Sequence, residues 1–258
     1  MIILFKIYAF IFGSMVGSFL NVVIYRMPIG KSIVSPRSSC PSCGYQIPWY
    51  QNIPILSYVF LRGKCANCGV KISIRYPLIE LIIGLSSFLL FPSYLNPTSL
   101  FEYFFLFSIF CALVCHFVID LDHQLLLDKI NLYLLFLFLP YSLFFNHYTF
   151  WAIGGAIGFG FPWLITEIYF RLRGKVGLGG GDIKLWGVLG IFLGPKMIVM
   201  NIFFSCFLGS LVGGTLMFLK KFSKESYLAF GPFIIFTAIL QIYFPTIMSD
   251  LARLLFSL

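Results

Sequence analysis

Apolar residues in this chain run in long unbroken stretches instead of alternating with polar ones. Such stretches lie near 3–25, 77–94, 101–119, 131–147, 149–169, 185–198, 199–219 and 227–247. A bilayer core of roughly 30 Å takes about 20 apolar residues per helix, so the pattern predicts about eight transmembrane helices, or seven if short or abutting stretches merge. Continuous runs argue against a membrane barrel, whose strands alternate inward and outward residues, and a spanning chain must satisfy its backbone groups within helices. The expected fold class is an all-α polytopic membrane protein. The first stretch continues through GSMVGSFLNVVIYR, with only Lys6 ahead and no small-residue cleavage signal, so a retained helix is expected and not a removed signal peptide.

Composition agrees with that pattern. Of 258 residues, 60% are hydrophobic and 10% charged, far from the balance of a soluble domain. The net charge of +9 would raise the question of nucleic acid in a soluble protein, but here its distribution has a simpler use. From Arg26 to Arg75 there are seven Lys or Arg residues and no acid. Further basic groups fall at Lys129, at Arg171, Arg173, Lys175 and Lys184, and at Lys220, Lys221 and Lys224. Eight spans place all of these on one side, which the positive-inside rule makes cytoplasmic. Lys6, Lys196 and Arg253 are left near the opposite face, so both termini are expected outside.

Residues 27–76 are the one long polar segment, and they contain CPSCG (Cys40, Cys43) and CANCG (Cys65, Cys68) with 21 residues between the pairs. Two thiolate pairs on tight turns can supply the four ligands of a tetrahedral zinc site. Two disulfides or four unrelated thiols are the alternatives, and a reducing cytoplasm weighs against the disulfides. A four-cysteine site has no open coordination position, so it would organise the loop and not hydrolyse anything. The stretch WYQNIPILSYVFLRGK (49–64) mixes aromatics with a basic end and suits either a membrane surface or the packing of a small zinc domain. Cys111, Cys115 and Cys206 sit in apolar spans, where cysteine behaves as a small hydrophobe.

Chemistry is therefore sought among the nine acids, four of which, Asp120, Asp122, Asp128 and Asp182, lie at the cytoplasmic ends of predicted spans. Ionisable groups in such places are costly and commonly functional. FVIDLDHQLLLDKIN and GGGDIKL face the same boundary, and helix packing can bring them together. Two carboxylates sharing a site do not both ionise cheaply, so one holds a proton while the other activates water, the division of labour of aspartic proteases. Asp128 and Asp182 also suit helix caps, Asp128 especially, at the start of the fourth long span. His116, His123 and His147 form no HExxH set and no GxSxG is present, which disfavours metallo- and serine chemistry. Two other classes stay open: a transporter relaying protons through its aspartates, and a membrane-anchored zinc-binding interaction module.

In order along the chain, GSFLNVVIYRMP (17–28), the two CxxC pairs, RYPLIE (75–80), IDLDHQLLLD (119–128) and GLGGGDIKL (177–185) resemble the type IV prepilin peptidases, also called leader peptidase and N-methyltransferases. The resemblance covers most of the chain. It implies a bacterial inner-membrane enzyme of the GxGD aspartic class with both activities. One removes the basic leader of type IV prepilins or type II secretion pseudopilins at the cytoplasmic boundary, and the other N-methylates the new amino terminus with S-adenosylmethionine. The family's catalytic acids match Asp120 and Asp182. The family usually has proline before the last acid of the first segment, where this chain has Leu127 before Asp128, which puts the local turn in doubt. The implied organisation is a first helix (1–26), a tetra-cysteine zinc-binding domain (27–76) with ligands Cys40, Cys43, Cys65 and Cys68, and a transmembrane peptidase domain (77–258). Partners are the pilin precursors and the bilayer, not nucleic acid. In this reading the GLGGGDIKL glycines use unusual dihedrals and close backbone approach so that Asp182 can meet Asp120.

Overall fold

The computed structural model describes residues 2–175, 177–219 and 228–256. Lys220, Lys221, Lys224 and the first residue of the last predicted span lie outside them. The helices are α1 (Ile2–Arg26), α2 (Leu56–Phe60), α3 (Arg75–Leu90), α4 (Pro97–His123), α5 (Asp128–Phe145), α6 (Tyr148–Arg173), α7 (Gly180–Phe218), α8 (Gly231–Tyr243) and α9 (Pro245–Phe256). A 3₁₀ turn at Trp49–Gln51 and isolated bridges at Ser39–Gln46 and Lys64–Lys71 complete the described residues, which contain no strand. The all-α expectation holds.

Among the described residues, five helices are long and apolar enough to cross a membrane: α1, α4, α5, α6 and α7. The other predicted stretches fall on shorter helices, α3 and α8 among them, and the boundaries differ in two places. Where two spans were expected at 185–198 and 199–219, α7 runs 39 residues and breaks at Gly194, whose φ of 74° is non-helical. The last stretch divides at Phe244 into α8 and α9.

The chain forms two compact units, Met1–Cys111 and Ala112–Leu258. In the first, α1 and α3 approach through small residues. A side chain at Gly13 would meet Ser87 Cβ at 2.5 Å, and one at Gly17 would meet Glu80 Cα at 2.8 Å. This close backbone contact is how membrane helices pair where water-driven burial is unavailable. Ser87 Oγ donates to the Ala9 carbonyl at 2.6 Å and lies 2.6 Å from the Tyr103 hydroxyl, which satisfies it inside apolar surroundings. The same helices anchor the polar loop: Asn21 Nδ2 donates to the Tyr76 carbonyl at 3.1 Å, and the Ile55 N–H donates to Glu80 Oε2 at 2.7 Å.

The second unit repeats the device between α6 and α7. A side chain at Gly154 would run into the Gly190 carbonyl and Gly194 Cα, and one at Gly158 into the Trp186 carbonyl. Gly194 is followed by Pro195, which has no N–H to offer the Ile191 carbonyl one turn back. Ser142 Oγ of α5 donates to that carbonyl at 3.0 Å, so the kink leaves no orphaned acceptor there. Across the kink Trp186 Nε1 donates to Asn201 Oδ1 at 3.0 Å, and Asn201 Nδ2 donates to Gln241 Oε1 at 2.9 Å. Gln241 Nε2 in turn donates to the Met197 carbonyl at 2.7 Å. This buried chain of amides ties both arms of α7 to α8.

Candidate active site and cysteine centre

The cysteine centre is built from two copies of one turn. In the first, the Cys40 N–H donates to the Tyr45 carbonyl at 2.9 Å and the Gly44 N–H to the Cys40 carbonyl at 2.9 Å. In the second, the Cys65 N–H donates to the Val70 carbonyl at 2.9 Å and the Gly69 N–H to the Cys65 carbonyl at 3.0 Å. Each turn closes through a glycine at positive φ, 70° at Gly44 and 69° at Gly69, where a side chain would be strained. All four sulfurs lie within 4.8 Å of one another, with Cys40 Sγ and Cys68 Sγ 3.9 Å apart. The Cys68 and Asn67 N–H groups pull the Cys65 thiol down to about 6. The Val70 N–H favours the Cys68 thiolate, but burial and the neighbouring thiols outweigh it and push Cys68 up to about 11. Crowded sulfurs repel as they ionise, and a cation at their centre relieves that repulsion. The cluster is suited to hold a metal ion.

The acid pair is assembled from three chain segments meeting at Leu126, which is buried. A side chain at Gly181, at the start of α7, would meet Leu126 Cβ at 2.9 Å. One at Gly231, at the start of α8, would meet Asp120 Oδ2 at 2.7 Å and Leu126 Cδ2 at 3.0 Å. Asp120, in the last turn of α4, is 4% exposed, and the Gly231 N–H approaches its carboxylate. Asp182, in the first turn of α7, is half-buried and its carboxylate feels the charge of Asp120. The structure thus brings Asp120 and Asp182 to one site. Asp182 is not the N-cap of α7, a place Gly179 takes, but the Gly179 N–H approaches its carboxylate.

Other expectations are corrected. Asp128 does not cap α5. Leu127 occupies the N-cap with no side-chain bond, and Asp128 takes Lys184 Nζ at 2.8 and 2.9 Å instead. Leu127 has φ −75°, within the range proline would fix, so its own backbone reproduces the turn without proline. None of the described GLGGGDIKL glycines has positive φ. Close approach carries the argument at Gly181, while Gly180 faces open space. Asp122 is exposed, beyond the buried Asp120.

Sequence reasoning missed Gly231, whose only local sign is a Gly-Pro step opening a helix. It also missed Lys184 as the partner of Asp128, since a lysine next to an apolar span reads first as a topology charge.

By geometry this is a multi-pass helical membrane chain with a carboxylate pair at clustered helix ends and a separate four-thiol centre. Residues 11–94 match the bacterial peptidase A24 N-terminal domain, and residues 105–214 match the type IV leader peptidase family. A prepilin leader peptidase/N-methyltransferase of Neisseria gonorrhoeae is 37% identical over 266 residues, covering 89% of each chain. One of Myxococcus xanthus is 37% identical over 212 residues, 81% of this chain and 62% of the relative. One of Pseudomonas putida is 33% identical over 254 residues, 88% of this chain and 86% of the relative. No solved structure matches the chain. The chain belongs to the type IV leader peptidase family.

Proposed function

We propose that this protein removes the leader from type IV prepilins or pseudopilins by aspartic proteolysis and then N-methylates the new amino terminus. The meeting of Asp120 and Asp182 at clustered helix ends carries the peptidase reading. A basic leader stays on the cytoplasmic side while the following apolar pilin segment lies in the bilayer, so the scissile bond arrives at the membrane boundary. One aspartate takes a proton from water as it attacks the carbonyl of the leader's last glycine, and the other gives a proton to the carbonyl oxygen. Collapse of the tetrahedral intermediate breaks the C–N bond, and the amine leaves with a proton. No covalent enzyme intermediate forms. The Gly231 N–H lies beside the Asp120 carboxylate and the Gly179 N–H beside that of Asp182, where both favour negative charge. Methylation follows, because only cleavage frees the amine; S-adenosylmethionine is the methyl donor.

The cysteine centre holds structural zinc. Tetrahedral Zn–S bonds of about 2.3 Å place sulfurs about 3.8 Å apart, and the Cys40–Cys68 sulfur separation is 3.9 Å. Cys40, Cys43, Cys65 and Cys68 fill the coordination sphere, so the ion stiffens residues 27–76 and takes no part in hydrolysis. Exposed Trp49, Tyr50, Val59 and Phe60 suit contact of this loop with the membrane surface. The protein sits in the bacterial inner membrane with about eight spans, the loop and both acids on the cytoplasmic side and the termini outside. Its functional parts are the first helix (1–26), the zinc loop (27–76) and the peptidase region (77–258).

The test is cleavage of a purified prepilin by wild type, Asp120→Asn and Asp182→Asn. Each variant should lose about 10³-fold or more in rate, as when a member of a catalytic set is removed. Wild-type cutting by either one would refute the pair. A transporter would show no cleavage by the wild type at all.

A further inference from the structure

Beside the acid pair is a buried polar cluster that the cleavage scheme leaves unused. His116 is fully buried in α4, one turn before Asp120 and on the same face of that helix. Asn131, in the opening turns of α5 and only 5% exposed, faces the imidazole without closing a direct hydrogen bond to it. Both imidazole nitrogens, both polar atoms of the Asn131 amide and Asp120 Oδ2 have no hydrogen-bond partner. Asn131 also borders a shallow, mostly apolar groove among α5, α6 and α7, but its amide atoms are buried away from that groove.

Buried polar atoms in native proteins are paired with protein groups or with ordered water. A buried water needs two to four polar partners, and this cluster offers them on three side chains. An apolar alternative is available at both positions, since the neighbours Ile119, Ile130 and Leu134 are buried hydrocarbons. Polar side chains are therefore not required to fill the space.

We propose that His116 and Asn131 hold ordered water beside Asp120 and through it position the inner oxygen of that carboxylate for cleavage. The inference rests on the reading of Asp120 as catalytic. His116 and Asn131 are positioning residues: they act on Asp120 through water and do not touch the substrate. Proteolysis at a membrane boundary has to hold water in apolar surroundings, and a buried polar pair beside the acid meets that need.

The experiment compares prepilin cleavage by wild type, Asp120→Asn, His116→Leu/Asn131→Leu and His116→Gln. The double variant should lose about tenfold in kcat with KM within about twofold, the pattern of a group acting on the transition state and not on binding. His116→Gln keeps hydrogen-bonding capacity and should stay within about threefold of wild-type kcat. The Tm of the double variant should be no lower than wild type, since the replaced groups had no protein partner. Wild-type kcat in the double variant, His116→Gln as impaired as that variant, or loss of kcat together with Tm would each overturn the inference. Wild-type cutting by Asp120→Asn would instead bring down the underlying reading, so the two failures are distinguishable.

Discussion

The cysteine centre takes all four thiols from two turns separated by 21 residues, each turn closed by its own backbone bonds and its own positive-φ glycine. The acid centre takes Asp120 from the end of one helix and Asp182 from the start of another, and depends on a third helix start at Gly231 to hold the first acid. The first centre is made of local geometry and a metal can complete it. The second exists only while α4, α7 and α8 keep their relative positions. Damage to packing should therefore pass the thiols by and reach the acids, and loss of the metal should do the reverse.

The sharpest separation pairs Asp182→Asn with Cys43→Ser/Cys68→Ser. Cleavage should fall about 10³-fold or more in the first while metal analysis still finds about one zinc per chain. In the second, zinc should be lost and residues 27–76 should become the first region cut in limited proteolysis, with helix content by circular dichroism unchanged. Zinc retained in the cysteine variant would refute the four-thiol assignment.

A smaller but more pointed break is Gly231→Ala. Its methyl would lie 2.7 Å from Asp120 Oδ2 and 3.0 Å from Leu126 Cδ2, so the carboxylate must shift. Misplacement on the order of 1 Å costs about 10² in rate, and zinc content should not change. Full activity in Gly231→Ala would mean that α8 does not position Asp120.

Packing can be attacked away from both centres with Gly154→Leu, which forces α6 off Gly190 and Gly194. Overpacking of this kind costs about 1–3 kcal/mol, read as a lower Tm with the cysteine loop still loaded. An unchanged Tm would show that this contact is not held tightly. Smallest of all is Lys184→Ala. Its ion pair with Asp128 is solvent-exposed on both sides, and such pairs contribute about 0–1 kcal/mol. Cleavage and Tm should move little, and a large loss would assign Lys184 to the substrate.

How much was legible in the sequence follows from the same contrast. The CxxCG repeats spell out their own turns, because the ligands, the glycine and the closing bonds lie within a few residues. Membrane helices were legible for a similar reason, since a run of apolar residues in lipid can satisfy its backbone only as helix. Boundaries were less so. The break in α7 was expected near residue 198 and falls at Gly194, where Phe150 leaves room for no side chain. Asp128 read as a cap because its position suits one, and only the fold shows Lys184 within reach.

The sequence by itself determined the helical membrane class, the four thiols and which two acids to suspect, each of them a matter of local composition or of a motif. Only the tertiary structure decided that Gly181 and Gly231 both close on Leu126, that the Gly231 N–H meets Asp120, and that His116 and Asn131 face each other with no partner of their own. Those relations depend on where helix ends come to rest. Glycine-lined backbone contacts and the buried amide chain through Trp186, Asn201 and Gln241 set those positions, and no single stretch of the sequence contains them.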